Sequence, residues 1–251
     1  VNAIRFCLEY THLSLEQIDH VAFYEKPLLK FERVLENFFD IAPKGVLAFV
    51  RYMPAWVKQK VFFRKYLNDK LKTIDKAAKK LPTVKFVEHH LSHAAWAYYT
   101  SPFKDAAVLT IDGVGEWTTT ALYRIQDGAI QLIKEQHYPH SLGLLYSAFT
   151  QYLGFKVNDG EYKMMGLASF GKPDYYETLR KTIKFENNKL VVDTNYYDYV
   201  RRTDRSYSDL LTKELGVSPR RPDLPFEVGT EDFQIYANVA SSAQKLLEDL
   251  L

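Results

Sequence analysis

The spacing of apolar positions along the chain switches repeatedly between a helical period and a strand period. Val1 to Tyr10 carries Ile4, Cys7 and Leu8, with Phe6 beside them, on one helical stripe, so it reads as an amphipathic helix already in mid-course. Ser14-Leu15-Glu16-Gln17 follows as a helix start, with a serine cap and a glutamine at the third helical position. Asp19 to Pro27 then has the alternation of a short strand closed by Pro27. From Leu28 to Leu81 the period is helical again, with breaks expected near Ala42-Pro43-Lys44-Gly45 and at Met53-Pro54. Thr83 to Glu88 alternates as a strand, and the alanine-rich run His89 to Tyr99 reads as a helix. Asp105 to Ile111 is almost continuously apolar, which predicts a buried strand. Trp117 to Arg124 and Ala129 to Lys134 are β-rich and joined by the hairpin signal Asp127-Gly128.

Further on, Ser141 is placed to cap a helix over Leu142 to Leu153, with Leu144, Leu145, Ala148, Phe149 and Tyr152 as its stripe and Gly154 as its end. Helices are expected over Tyr175–Ile183, Ser206–Leu215 (closed by Gly216) and Asp232–Leu251, and a hairpin over Phe185–Asp193 around Asn187-Asn188. Pro219 to Pro225 is a loop. Helices alternating with strands from the start point to an α/β fold. The opening inside a helix and the final helix with no terminator lead to the expectation of a piece cut at both ends.

Composition narrows the class. With 47% hydrophobic and 25% charged residues in 251, the chain is globular and can bury a sizeable core. Its single cysteine, Cys7, excludes an internal disulfide and a cysteine-built zinc site, and fits a cytoplasmic location. The best apolar run, Gly45 to Val57, is interrupted by Arg51 and Pro54, so no membrane-spanning segment is expected. Between Lys58 and Lys85 there are ten Lys or Arg against two acids, Asp69 and Asp75. A phosphate-rich partner would exploit such a cluster through counterion release. The whole chain is only +2, however, so a solvated helix face over a stripe of Val61, Phe62, Tyr66, Leu67, Leu71, Ile74, Ala77 and Ala78 is the favoured reading, and nucleic acid an unlikely partner.

Two stretches carry chemistry. His89 and His93 stand four residues apart, which on a helix puts both imidazoles on one face in metal-ligand spacing. His90 is turned about 100° from His89. Surface or capped histidines would give the same spacing, but three of the seven histidines fall within five residues directly after a strand, where α/β proteins place ligands. The second stretch is Asp112-Gly113-Val114-Gly115-Glu116. Its glycines allow backbone N–H groups to approach an anion, and Asp112 offers a carboxylate at a strand end. A plain hairpin turn is the alternative.

Four motifs in order, His-His-Leu-Ser-His-Ala-Ala (89–95), Asp-Gly-Val-Gly-Glu (112–116), Ser-Leu-Gly-Leu-Leu-Tyr-Ser-Ala-Phe-Thr (141–150) and Gly-Glu-Tyr-Lys-Met-Met-Gly-Leu-Ala (160–168), resemble the O-carbamoyltransferases of antibiotic biosynthesis and nodulation-factor modification. That family is related to the enzyme forming threonylcarbamoyladenosine in tRNA. The resemblance covers most of the chain and implies one half of an actin-like ATPase (ribonuclease H-like) fold, with a mixed sheet, antiparallel hairpins and a helical insertion. It implies one partial N-terminal domain over 1–251: a basic helical insertion at 28–81, a motif-bearing α/β core at 83–172 and a helix-hairpin-helix extension at 173–251.

The resemblance also implies roles. His89, His93 and Asp112 would bind a divalent metal, usually Fe(II), completed by an Asp from beyond residue 251. Zinc or manganese would suit these residue types equally. The metal would polarise the carbonyl of a carbamoyl-adenylate made from carbamoyl phosphate and ATP, and an acceptor hydroxyl of a small molecule would displace AMP. His90 would bond that hydroxyl or take its proton. Gly113, Gly115, Glu116 and Gly160 would meet the carbamoyl-adenylate, with Glu161 on its ribose and Lys163 on its phosphate, although Lys163 reads equally well as a surface cation. Met164 and Met165 read as core filling. The remainder of the same polypeptide is the expected partner, and this piece alone is expected to transfer little carbamoyl. The alternatives are a tRNA-modifying relative using the basic helices, and an ATP-hydrolysing module of kinase or chaperone type.

Overall fold

The computed structural model describes residues 1–42, 50, 53–54, 57, 62–76, 78–187, 189–224 and 226–251. It is a mixed α/β structure with one parallel and two antiparallel sheets among the described residues. The chain divides into two compact units, one of residues 1–103 with 115–117 and one of 104–114 with 118–251.

In the first unit, helix α1 (Asn2–Thr11) ends at His12, whose left-handed φ of 55° closes it. None of its residues is buried; Ile4, Phe6 and Cys7 are exposed, which corrects the expected buried stripe, and only Leu8 leans on the core. Ser14 starts a single 3₁₀ turn (Leu15–Gln17) where a helix was expected, and the Gln17 side chain accepts from the Ser14 N–H at 2.8 Å. Strand β1 (His20–Phe23) pairs in parallel with β2 (Thr83–Phe86), Val21 opposite Val84. Pro27 does not close a strand; it opens helix α2 (Pro27–Ile41), where its fixed φ is pre-set and its missing N–H costs nothing. Helix α3 (Phe63–Ile74) packs Leu71 with Leu15 and Val84 into a small core, each side chain contributing about 1.5–3 kcal/mol. Leu67, Ile74 and Ala78 flank it, whereas Phe62 and Tyr66 of the expected stripe are exposed. The expected breaks at 43–45, and Val61 and Ala77, lie outside the described residues. Helix α4 (His89–Tyr99) follows β2 directly.

The second unit is built on the antiparallel sheet of β3 (Ala106–Ile111), β4 (Thr118–Gln126) and β5 (Ala129–His137), in that order. Asp127 and Gly128, at φ 51° and 77°, make the two-residue turn the sequence announces. β3 is an edge strand and not the buried one expected: Leu109 is 54% and Ile111 40% exposed. The core lies instead among the helices. α5 (Leu142–Tyr152), α6 (Glu161–Ala168), the short α7 (Tyr176–Arg180) and the long α9 (Glu231–Leu250) pack round Phe149, Tyr152, Met164, Leu179 and Leu246. Gly171 passes so close to α9 that an added Cβ would stand 2.0 Å from the Ala237 carbonyl oxygen. Strands β6 (Ile183–Glu186) and β7 (Lys189–Val192) form the expected hairpin, with Asn187 at φ 52°; Asn188 lies outside the described residues. Helix α8 (Asp209–Leu215) is capped by Ser208 and closed by Gly216 at φ 66°. No described helix is long and apolar enough to cross a membrane.

Candidate functional site

In the first unit the chemistry gathers at the start of α4. β2 ends at Phe86 and the chain turns into the helix within two residues, so the first turn stands at the C-terminal end of a parallel strand pair. His89 and His93 share a helix face, and their Nε2 atoms are 3.1 Å apart, the rings standing at 88° to each other. That separation would suit a shared proton, or one cation bonded to both nitrogens at about 2.0–2.1 Å each. His90 follows His89 in the same first turn. Its ring lies 5.9 Å from that of His89 and 6.1 Å from that of His93, and the residue is 2% exposed.

Gly115 and Glu116 belong to the same unit. A Cβ at position 115 would stand 2.9 Å from the His89 Cβ and 3.2 Å from the His90 ring, so only glycine lets the backbone lie this close to the imidazoles. The Glu116 carboxylate is buried and takes backbone donors: the Lys26 N–H at 2.6 Å and the His89 N–H at 3.1 and 3.3 Å on its two oxygens. The loop after β1 adds to this seat. Lys26 Nζ pairs with Glu88 at 2.6 Å, the Tyr24 ring lies 5.7 Å from that of His89, and the Ser92 hydroxyl donates to the His89 carbonyl.

Asp112 and Gly113 belong to the second unit. The Asp112 N–H bonds Thr119 O across the strand pair at 2.9 Å, and its Oδ1 accepts from the Gly113 N–H at 2.6 Å. The α5 N-terminus holds this turn. Ser141 Oγ accepts from the Leu144 N–H at 3.0 Å as a helix cap, and it approaches the carbonyls of Gly113 and Asp112 at 2.6 and 3.2 Å. Gly143 makes the approach possible, because a Cβ there would meet the Asp112 carbonyl oxygen at 2.5 Å and the Gly113 nitrogen at 2.6 Å. Gly113 itself is not so constrained, its nearest neighbour being Leu144 at 3.6 Å.

Gly160, Glu161 and Lys163 lie at the start of α6 in the same unit. Glu161 accepts from Ser147 Oγ at 3.0 Å, from the Asn158 N–H at 2.9 Å and from the Gly160 N–H at 3.2 Å. Burial alone would raise its pKa, but these donors hold it below the usual carboxylate value. Gly160 is a close-packing glycine, 2.8 Å from Phe155 as judged at a Cβ. Lys163 is exposed, its ammonium 5.8 Å from the Tyr162 ring. Met164 is buried core as expected, whereas Met165 is 57% exposed. Ser147 stands on α5 about 9 Å along the axis from Ser141, so one helix supports both the Asp112 turn and the Glu161 loop. Two of these supports, Gly143 and Ser147, go unmarked in a sequence reading. The signal was a glycine in the first turn of a helix, a place where it is costly unless a backbone must come near.

The chain is similar to known proteins over most of its length. An uncharacterized protein of Synechocystis sp. is 40% identical over 254 residues, covering 99% of this chain and 40% of its own length. Nodulation protein NolNO of Sinorhizobium fredii is 29% identical over 99% of this chain and 32% of its own. Nodulation protein NolO of Bradyrhizobium diazoefficiens is 32% identical over 66% of this chain and 27% of its own. The chain thus spans at most about two fifths of the length of these relatives. A family model described as carbamoyltransferase N-terminus matches residues 1–251, and all four motifs lie within that span. By that end-to-end match, the chain belongs to the carbamoyltransferase N-terminus family.

Proposed function

We propose that this chain supplies the metal and carbamoyl-transfer site of an ATP-dependent O-carbamoyltransferase, with His89, His93 and Asp112 as ligands of one divalent cation, Fe(II) by the family resemblance. The observation that carries the reading is the 3.1 Å separation of the two Nε2 atoms on one helix face. The covalent chain supports the third ligand: Asp112 is three residues from Gly115, whose backbone lies against His89, so their Cα atoms can be no more than about 11 Å apart. Two neutral imidazoles and a carboxylate are a fitting donor set for Fe(II), and they admit zinc or manganese as well.

The bound cation would supply Lewis acidity to the carbamoyl carbonyl. This chain's residues hold the rest. The acceptor hydroxyl oxygen forms a bond to the carbamoyl carbon, the bond from that carbon to the adenylate phosphate oxygen breaks, AMP leaves, and the hydroxyl proton passes to a base. His90 is the nearest further imidazole. Its burial suits a group held beside the ligands, and proton acceptance by it requires the acceptor to reach the same pocket. Glu161, fixed by three donors, would accept from ribose hydroxyls through its remaining lone pair, and the exposed Lys163 would meet phosphate. The reading includes an actin-like ATPase half, supported by the mixed α/β character with a parallel strand pair in one unit and an antiparallel sheet in the other. A cytoplasmic setting, where ATP and carbamoyl phosphate occur, completes the reading.

The test uses the complete polypeptide that contains this chain, supplied with carbamoyl phosphate, ATP and hydroxyl acceptors. AMP formation matched by carbamate-ester formation, and lost by at least about 100-fold in His93→Ala, is expected, since metal-dependent steps depend wholly on their ligands. Undiminished ester formation by His93→Ala would contradict the metal assignment, and ATP hydrolysis with no ester would favour an ATPase.

A further inference from the structure

Both oxygens of the Glu116 carboxylate accept from the backbone where two segments of the first unit meet. One segment is the loop after β1, reached through the Lys26 N–H at 2.6 Å. The other is the first residue of α4, reached through the His89 N–H at 3.1 Å and 3.3 Å. The first N–H groups of a helix have no partner within it, and α4's own cap residue, Glu88, provides no side-chain cap. The Glu88 carboxylate is instead on Lys26 Nζ. A carboxylate distant in sequence therefore caps the histidine helix at the residue that carries the first imidazole.

Its charge also matches the positive end of the helix dipole. Gly115 lets it reach that position, since any larger residue would collide with His89 and His90 and push residue 116 away. Through this seat the Tyr24 to Lys26 loop, the 115–117 turn and the first turn of α4 are tied at one point.

We infer that Glu116 is a positioning residue: it fixes the start of α4, and with it the direction in which the His89 ring presents Nε2 toward His93. The inference rests on the metal reading for its functional meaning, but it makes a structural claim of its own. Outer groups that orient metal-binding histidines typically change metal affinity by about 10–100-fold when removed. Glu116→Gln keeps the size and one acceptor oxygen but loses the charge and the second acceptor.

Two readouts test it. Amide hydrogen exchange in metal-free protein is expected to show a protected His89 N–H in the wild type and exchange at least about tenfold faster in Glu116→Gln, with the β6–β7 hairpin unchanged. Titration with Co(II) as a spectroscopic probe is expected to show affinity lower by about 10–100-fold in Glu116→Gln. Leu71→Val, which loosens the core of the same unit away from residues 115 and 116, serves as the comparison. It is expected to lower thermal stability while leaving Co(II) affinity near wild type. Unchanged His89 exchange in Glu116→Gln would overturn the inference. So would an equal affinity loss in Leu71→Val at equal stability loss, since the effect would then be general loosening. Failure of the wild type to bind Co(II) would count against the metal reading, while the exchange result would still decide whether Glu116 holds the helix.

Discussion

At the scale of single residues, Glu116 in the first unit and Ser141 and Glu161 in the second place side-chain oxygens on backbone N–H or C=O groups, with Glu161 also accepting from the Ser147 hydroxyl, so each fixes a segment of chain. Ser141→Ala removes a helix cap and is expected to cost about 1 kcal/mol, read as a lowered urea midpoint with an unchanged slope. A loss within experimental error would mean the cap is dispensable. His140 is next to Ser141, and its Nδ1 accepts the Val192 N–H at 3.2 Å. Burial lowers its pKa from 6.5, outweighing the charge of Glu186, which acts to raise it. With the folded pKa depressed, the unfolded chain binds more protons as pH falls. The contribution is therefore intact above 6.5 and fades as pH drops below it toward the folded value. His140→Asn, which keeps an acceptor but cannot titrate, is expected to flatten the stability difference between pH 7.5 and 5.5. An unchanged pH dependence would show that other groups carry it.

At the scale of elements, helix α5 is the main support in the second unit. Its first turn carries Ser141 and Gly143 against the Asp112 turn, and Ser147 meets Glu161. Gly143→Ala would drive a methyl into backbone atoms at 2.5 and 2.6 Å, which cannot move as a flexible side chain could. It is expected to destabilise by about 1–3 kcal/mol and to displace Asp112, read as a lowered thermal midpoint together with weaker metal binding. A stable variant with normal metal affinity would contradict this account of the turn.

Much at this scale was legible in sequence. The alternation in Thr83–Phe86, the alanines of α4, the Asp127-Gly128 turn and the Gly216 stop each specify structure through local rules, and the elements form there. The misreadings have physical causes. The apolar stripe of α1 and the continuous apolar run of β3 predict burial, but whether apolar residues are covered depends on tertiary partners, and Ile4, Phe6, Leu109 and Ile111 are exposed. Pro27 fits both a strand end and a helix start, and only the pairing of β1 with β2 decides between them.

For the molecule as a whole, the division into two units falls within the Asp112–Glu116 turn. The i, i+4 histidines and the ordered motifs were readable because local spacing and composition carry them. The commitment of Glu116 to Lys26 and His89 was not, because it joins residues 90 and 27 positions apart and depends on how β1 and α4 come together. The chain covers 40% of the length of its Synechocystis relative, and carbamoyl transfer, its acceptor and the nucleotide steps are proposals for a whole protein of that kind. The proposed metal site is the part that this chain can be asked about directly. Co(II) titration of the wild type, His93→Ala and Asp112→Asn, followed by visible absorption, measures it. One Co(II) per wild-type chain, with affinity falling by at least about tenfold in each variant, is the predicted result. Equal Co(II) affinity in all three proteins would contradict it.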